Sequence, residues 1–535
     1  MLKYSFCVCV VLLLAQQTIA SEKQPNIVFI FSDDHACHAI GAYNGWLKDV
    51  DPTPNIDKLA SQGMLFQNSF CTNSICGPSR AVILTGKFSH LNGFMRNGNK
   101  FDGFQQTFPK LMQKAGYKTA MIGKWHLKTN PQGFDYWDVL RGQGDYYNPV
   151  LLTKDGRRQV EGYCTDIVTD LAIDWLDDNA KGGKPFMLMC QHKAPHRCWM
   201  PPLRYLDLYN DIEMPVPSTL FDTQMDNAKC VQVEEMEIDR HMNLVKDLFA
   251  YPKADWVDQF KFPMDGSGVN NKKKMTEEQL KAWEAGFEQQ NREMLQANLT
   301  GQELVRWKYE RYIKNYLRCV RGVDDSVGQL MEYLKTNGLR DNTIVIYCSD
   351  QGFYLGDHGW YDKRFMYEES FKMPLIVSWP GVTKPGTVNK QLVQNLDYAE
   401  TFLEIANAKI PDDMQGSSLV PLLKGDPVNW RNAVYYHYYE FPSVHMVPRH
   451  YGVRDHRFKL IHFYQFNEWE LYDLEKDPDE LTNVYANPKY ADEVSRLKKR
   501  LKELRDQYKD DSDVSEQSEA WKQKYYQGRK NKKVS

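Results

Sequence analysis

Asn26-Ile27-Val28-Phe29-Ile30-Phe31-Ser32-Asp33-Asp34 is the stretch on which the fold turns: an uncharged, mostly apolar run that ends abruptly in two adjacent carboxylates. A short unbroken run of β-branched and aromatic residues reads as a strand covered on both faces. Thr343-Ile344-Val345-Ile346-Tyr347-Cys348-Ser349 repeats the pattern and ends in Asp350-Gln351-Gly352. Residues 119–122, 186–191 and 375–378 are further strand candidates, and helical periodicity fills 55–62, 108–114, 164–179 and 307–337 between them. Strands alternating with helices predict an α/β fold with a mostly parallel central sheet covered by helices. In such a sheet the functional groups gather at the carboxyl ends of the strands.

Outward from this core the chain changes character twice. Residues 222–301 are polar, carry Lys272-Lys273-Lys274 and lack strand signals, which predicts a helical or irregular insertion. From Ala433 onward, short aromatic runs at 435–441, 451–453, 458–463 and 469–473 precede a charged helical stretch at 488–509. The expected organisation is a main domain over 21–432 and a smaller α+β domain over 433–535, built on an antiparallel sheet with a packed helix. The polar tail beyond Asp510 is expected to fray.

Lys3, the apolar run 7–15 and Thr18-Ile19-Ala20 have the layout of a secretory signal over residues 1–20, with the mature chain starting at Ser21. No later run approaches the roughly 18 apolar residues of a membrane helix, so no stable membrane insertion is expected. With 67 Lys and Arg against 70 Asp and Glu, the net charge of −3 leaves no electrostatic footprint for nucleic acid. Of the 11 cysteines, Cys7 and Cys9 fall inside the signal, and no C-x-x-C spacing occurs. A chain of this size needs no disulfide framework, although Cys190 and Cys198 lie close enough in sequence to pair. A single glycosylation sequon, Asn298-Leu299-Thr300, is near chance level. These features favour a secreted or periplasmic bacterial protein.

Five local patterns carry chemistry. Asp33-Asp34 and Asp350-Gln351 close the two strongest strands; adjacent carboxylates repel, and a cation normally balances them. All-oxygen donors select a hard ion such as calcium or magnesium, whereas each acid alone would suit helix capping. Cys76-Gly77-Pro78-Ser79-Arg80 opens a helical pattern that ends in Leu84-Thr85-Gly86. Pro78 is acceptable in a first helical turn, and a helix from about Ser79 would aim free N–H groups at an anion; the plain alternative is a buried cysteine before a helix. Gly123-Lys124-Trp125-His126 and His192-Lys193-Ala194-Pro195-His196 each follow a strand, and Gly356 to Arg364 follows the second acidic pair.

The pattern C-x-P-S-R-x-x-x-L-T-G at Cys76 resembles the maturation signature of type I sulfatases. The resemblance implies an alkaline-phosphatase-like domain in which Cys76 is oxidised to Cα-formylglycine by a formylglycine-generating or anaerobic sulfatase-maturing enzyme. One hydroxyl of the hydrated aldehyde takes the sulfuryl group, and the other lets the carbon–oxygen bond break as the aldehyde re-forms. It also implies calcium on Asp33, Asp34, Asp350, Gln351 and the oxygen at Cys76, with Arg80, Lys124 and Lys363 on the sulfate. His126 would act as the base when the sulfated intermediate collapses, and His196, with His192 as the other claimant, would protonate the leaving alcohol. Arg197, Trp199, Trp360, Asp362, Arg364, Arg449 and His450 make a polar and aromatic rim, which suits a sulfated carbohydrate. Segments 192–201 and 356–364 look similar to those of bacterial N-acetylglucosamine-6-sulfatases acting on glycosaminoglycans or mucin glycans, which places Asp362, Arg364 and His450 on ring hydroxyls. A sulfatase for another sugar position, a phosphonate or phosphodiester hydrolase of the same superfamily, and an inactive carbohydrate-binding relative are the competing readings.

Overall fold

Both unbroken apolar runs become strands buried along their whole length, Asn26–Ser32 and Thr343–Ser349. The computed structural model describes residues 24–223, 226–250 and 272–534. The expected signal segment, and residues 224–225 and 251–271 of the expected insertion, lie outside the described residues.

The strands are β1 (Asn26–Ser32), β2 (Met64–Phe66), β3 (Lys118–Gly123), β4 (Tyr136–Leu140), β5 (Val150–Thr153), β6 (Gly156–Gln159), β7 (Phe186–Gln191), β8 (Thr343–Ser349), β9 (Leu375–Ser378) and β10 (Thr387–Asn389). They form one ten-stranded sheet in the order β10-β2-β9-β8-β1-β7-β3-β4-β5-β6. The central strands β8, β1, β7, β3 and β4 are parallel, while β9, β5 and β6 are antiparallel to their neighbours. The sequence pattern identified the centre of this sheet and missed the flank β4-β5-β6. The reason is visible in β6, Gly156-Arg157-Arg158-Gln159, which is exposed along its length and carries no apolar pattern.

The longer helices are α1 (Pro54–Ser61), α2 (Cys76–Thr85), α3 (Phe108–Lys114), α4 (Cys164–Asn179), α5 (Glu277–Ala297), α6 (Gly301–Thr336), α7 (Tyr398–Ile405), α8 (Ala491–Gln507) and α9 (Glu519–Val534). Alternation along β1 sends Ile27, Phe29 and Phe31 to one face, where Phe29 meets Phe402 of α7 at 5.2 Å between ring centroids and Phe402 meets Phe108 of α3 at 4.9 Å. Val28 and Ile30 face the other way, into the core formed with α4 and α6. That two-sided cover is what makes a continuous apolar strand soluble.

The C-terminal domain is a four-stranded antiparallel sheet of β11 (Ala433–Tyr438), β12 (His450–Asp455), β13 (Phe458–Phe463) and β14 (Glu468–Asp473), in chain order. Leu497, Leu501 and Leu504 of α8 pack on Tyr435, Val453 and Leu460. The tail does not fray as its polarity suggested. It forms α9, in which Trp521 and Tyr525 stack at 5.5 Å and cover Phe441 and Phe466. Cys190 and Cys198 stay thiols, facing His192 at 3.7 Å and Asp247 at 3.6 Å. Among the described residues no helix is long and apolar enough to cross a membrane.

Candidate active site

Register places the chemistry. Ser32 pairs with Ser349, while Phe31 and Gly123 both pair with Gln191. Strands β8, β1, β7 and β3 therefore end on one edge, and Asp33-Asp34, Asp350-Gln351, Lys124 and His192 leave the sheet side by side. Asp34 and His126 adopt left-handed backbone angles, φ 66° and 57°, immediately beyond their strands. Strain of that kind collects at functional sites.

Helix α2 aims its first residue at this edge. It starts at Cys76 rather than near Ser79, because Gly77 and Pro78 fit the first turn and Ser79 N–H closes onto the Ile75 carbonyl at 3.0 Å. A Cβ on Gly77 would come 2.6 Å from the Phe94 ring, so the approach requires glycine. The expected set of free N–H donors shrinks accordingly: Pro78 has none, and Gly77 N–H already donates to Asn97 Oδ1 at 3.1 Å. All ten residues of α2 are buried, with Cys76 only 1% exposed. Burial pushes the Cys76 thiol up to about 12, with Lys363 and Arg80 offsetting only part of the effect. An unmodified thiol in this position is protonated at neutral pH and a poor nucleophile.

Carboxylate oxygens of Asp33, Asp34 and Asp350 lie within 4.8 Å of one another, and those three acids are fully buried. Asp33 Oδ1 and Gln351 Oε1 are buried acceptors that no hydrogen-bond donor reaches. Three carboxylates with orphaned oxygen acceptors are the donor set of a hard divalent cation. Three side-chain cations stand against the acids. Arg80 donates to Asp350 Oδ2 from Nε (3.2 Å) and Nη2 (3.0 Å), and from Nη1 to the Lys124 carbonyl (2.6 Å) and Gln191 Oε1 (2.7 Å). Lys363 Nζ donates to Asp34 Oδ2 at 2.7 Å, and Lys124 Nζ contacts Asp33 Oδ2. Gln351 donates to Asp34 Oδ1, and its amide nitrogen lies 3.9 Å from Cys76 Sγ.

The electrostatics follow from burial first. Burial lifts the Asp34 carboxyl to about 6, Asp350 and Asp362 adding to the rise and Lys363 opposing it. Burial works against the charge on Lys363, yet Asp34 holds its ammonium above the usual lysine range. For Lys124 burial wins, aided by Lys193, and draws the amine well below its ordinary value. His126 is kept neutral by burial and by Lys124, Arg80 and Lys363, which leaves it in the form that accepts a proton. His196 is likewise held down by burial and by Lys124 and Lys363. Its Nδ1–H donates to the Arg197 carbonyl at 2.5 Å, which turns Nε2 toward Asp34 Oδ2 at 3.8 Å. His192 lies deeper, fully buried and bonded to Ser326 Oγ at 3.0 Å, away from this set.

Beside these groups a short hairpin presents Asp362, Lys363 and Arg364. Asp362 Oδ1 accepts from Lys363 N–H at 2.9 Å and lies 3.5 Å from Arg364 Nη2. Arg364 is 6% exposed, and its Nε and Nη1 are buried without a hydrogen-bond partner. His450 is not brought to this pair, contrary to the sequence expectation. Its strand places it inside the aromatic core, with its ring packed against Phe365, Tyr436, Tyr438 and Phe463. The imidazole that does meet Asp362 is His445, Nε2 to Oδ2 at 3.2 Å, a residue the sequence reading passed over because it sits in an irregular loop with no motif around it. Trp199 and Trp360, expected at the rim, are fully buried core residues.

The parallel strand edge, buried acids and converging cations define an alkaline-phosphatase-like hydrolase. Comparison with known proteins narrows the class. The sulfatase family profile matches residues 25–408, and one described as the C-terminal part of N-sulphoglucosamine sulphohydrolase matches 356–507. An N-acetylglucosamine-6-O-sulfatase of Bacteroides thetaiotaomicron is 45% identical over 496 residues, 91% of this chain and 87% of its own. The human N-acetylglucosamine-6-sulfatase is 27% identical, over 78% of this chain and 68% of its own. A solved structure in complex with its substrate D-glucosamine-2-N,6-O-disulfate superposes with a TM-score of 0.88 at 44% identity, covering 92% of this chain and 99% of that one. A phosphonate monoester hydrolase of Silicibacter pomeroyi shares the fold, with a TM-score of 0.65 at 22% identity over 90% of this chain and 95% of that one. The chain belongs to the sulfatase family and is a sulfuric ester hydrolase.

Arg80 ties α2 to the strand edge through a buried pair, so losing one partner strands the other. Arg80→Met, which preserves much of the stem and removes the charge, should lower unfolding stability by about 3–5 kcal/mol in a denaturant titration.

Proposed function

We propose that this sulfatase removes the 6-O-sulfate of N-acetylglucosamine in glycosaminoglycan or mucin fragments, using a formylglycine made from Cys76 and a calcium ion held by Asp33, Asp34, Asp350 and Gln351. The observation that carries the substrate is the 45% identity, over 91% of the chain, to a protein named for that reaction. The solved neighbour bound to a 6-O-sulfated glucosamine supports the same choice.

The residues divide the work. Formylglycine, once hydrated, supplies the hydroxyl nucleophile that a protonated thiol cannot. Calcium would supply Lewis acidity toward the sulfate. Arg80 and Lys363 offset two of the three carboxylates Asp33, Asp34 and Asp350, and Lys124, whose amine burial draws down, lies against the third; a divalent cation would tip the site positive and suit it to an anion. Lys124 and Lys363 bind sulfate oxygens, and Arg80 orients the group at position 76 against Asp350. Neutral His126 would serve as the proton acceptor beside the group at position 76. His196, with Nδ1–H committed to the Arg197 carbonyl, would have to take a second proton on Nε2 before giving it to the leaving alcohol, and the negative charge of a bound sulfate would favour that uptake. Asp362 and Arg364 meet ring hydroxyls. His450 acts one layer back, stacked on Tyr436, whose hydroxyl donates to the Arg364 carbonyl at 2.5 Å. Residues 1–20 direct export to the periplasm or medium, a formylglycine-generating or anaerobic maturing enzyme converts Cys76, and the catalytic domain ends near residue 432.

Three outcomes follow. Cys76→Ala should bring sulfate release to the blank while leaving the melting temperature within about 2 °C of the unsubstituted protein, since removing one side-chain atom here deletes the nucleophile; appreciable turnover by that variant would refute the nucleophile. Calcium at about 100 times its Kd should stabilise the protein by about 2.7 kcal/mol in thermal unfolding, an increment abolished by chelation or by Asp350→Ala. Given defined substrates, the matured enzyme should prefer 6-O-sulfated N-acetylglucosamine to 4-O-sulfated N-acetylgalactosamine, 2-O-sulfated uronate and a phosphonate monoester; a reversed order overturns the substrate.

A further inference from the structure

The hairpin that carries Asp362 is strained. Asp362 has φ 80° and Arg364 φ 111°, in a region that side-chain-bearing residues avoid, so contacts from elsewhere must hold them. The contact on Asp362 Oδ2 comes from His445, itself at φ 65°. His445 is pinned on its far side as well. Its Nδ1 lies 2.5 Å from the Glu235 carbonyl oxygen, and Glu235 N–H donates back to the His445 carbonyl at 2.9 Å. The edge of the ring meets Tyr361, 5.5 Å between centroids at 88°.

Both oxygens facing the imidazole are acceptors. A carbonyl cannot donate, so Nδ1 carries a proton; an ionised carboxylate cannot donate either, so the contact to Asp362 is a hydrogen bond only while Nε2 carries a second one. Asp362 is ionised, because Lys363, Arg364 and His445 outweigh its burial and hold the carboxyl well below the usual range. Each neutral tautomer would turn a ring lone pair toward an oxygen, at 2.5 Å or 3.2 Å. The imidazolium donates to both oxygens, whereas the neutral Nδ1–H form keeps the Glu235 carbonyl, can accept from Arg197 Nη1 at 3.5 Å and gives up its donation to Asp362. The charged groups around the ring are Asp362 and Arg364 on the hairpin, and Arg197, whose Nη1 stands 3.5 Å from Nε2 while its Nε and Nη2 bind Asp247 at 2.8 Å each. Burial, with Arg364 and Arg197, draws the imidazole below its ordinary pKa, and Asp362 opposes that pull. The second proton is therefore one the ring loses as pH rises.

We propose that His445 is a positioning residue for sugar recognition: clamped between the Glu235 carbonyl and Asp362, it fixes the Asp362 carboxylate for substrate hydroxyls and makes that grip depend on pH. It acts through Asp362 and does not touch the ester. The proposal rests on the reading that Asp362 meets the sugar.

The test is steady-state kinetics of the matured, calcium-loaded enzyme on 6-O-sulfated N-acetylglucosamine and on an aryl sulfate that lacks sugar hydroxyls. His445→Ala should raise KM for the sugar about tenfold with little change in kcat, so that the ratio of sugar to aryl kcat/KM falls about tenfold. The unsubstituted enzyme should show KM for the sugar rising with pH as the imidazolium deprotonates. His445→Gln, whose amide donates to Asp362 without titrating, should keep KM near the low-pH value across the range. An unchanged sugar KM in His445→Ala, or an equal loss on both substrates, overturns the role. A Gln variant with the unsubstituted enzyme's pH dependence overturns it too, and that measurement decides alone should the Ala variant not fold. Asp362→Ala separates the two readings: if it raises sugar KM while His445→Ala does not, only the His445 role fails, and if it has no effect, the sugar contact fails with it.

Discussion

Three carboxylates at zero exposure beside one another are the constraint around which this molecule is arranged. Two unit charges about 4 Å apart interact by about 4 kcal/mol at a dielectric typical of protein sites, so the cluster survives only with cations packed against it. Each cation comes from a different part of the chain: Arg80 from α2, Lys124 from the end of β3, Lys363 from the hairpin after β8. Bringing them together fixes how α2 and that hairpin sit on the sheet edge. The proposed chemistry would draw on the same charges that hold the fold.

How much could be read in advance depends on which force shaped each part. Strands buried on both faces leave an uninterrupted apolar run, so β1, β7, β8 and β9 were legible residue by residue. The edge strand β6 answers to backbone pairing alone and has no apolar signature. Helix α9 looked like a polar tail, yet Trp521 and Tyr525, four residues apart, are a helical stripe that marks a buried face. In the site, residues set by strand ends or by α2 were legible because sheet geometry brings strand termini together. His445 was not: its place depends on a loop crossing from the C-terminal domain, and pairing with Glu235 in a segment read as an insertion put it there. His450 looked the better candidate, but strand alternation turns it into an aromatic core.

The two halves of the site therefore differ in origin. The acids, cations and Cys76 rest on the sheet edge and α2, where small displacements are resisted from all sides. The groups proposed to face the remainder of the substrate come from the hairpin, the 226–250 segment and the C-terminal domain, which meet around Asp362 and again where Asn227 and Ala228 bond Tyr472 and Glu470. Rigid elements carrying the reaction, with loops carrying the selection, is the common division in α/β enzymes. Here the selecting loops are themselves held by ionic and hydrogen-bonded contacts to one another, so a change in one should be felt in the others.

The complete enclosure of α2 also sets an order of events in the life of the chain. Its first residue, Cys76, is 1% exposed, with Gln351 beside its sulfur and Phe94 and Asn97 against the next residue, Gly77. An enzyme that is to oxidise this thiol cannot reach it in the finished protein without dismantling the core. If Cys76 is converted as proposed, conversion and folding compete for the same residue. Under that proposal a molecule that folds first would keep its thiol, and the active fraction of a preparation would record the outcome of that race rather than the quality of the fold.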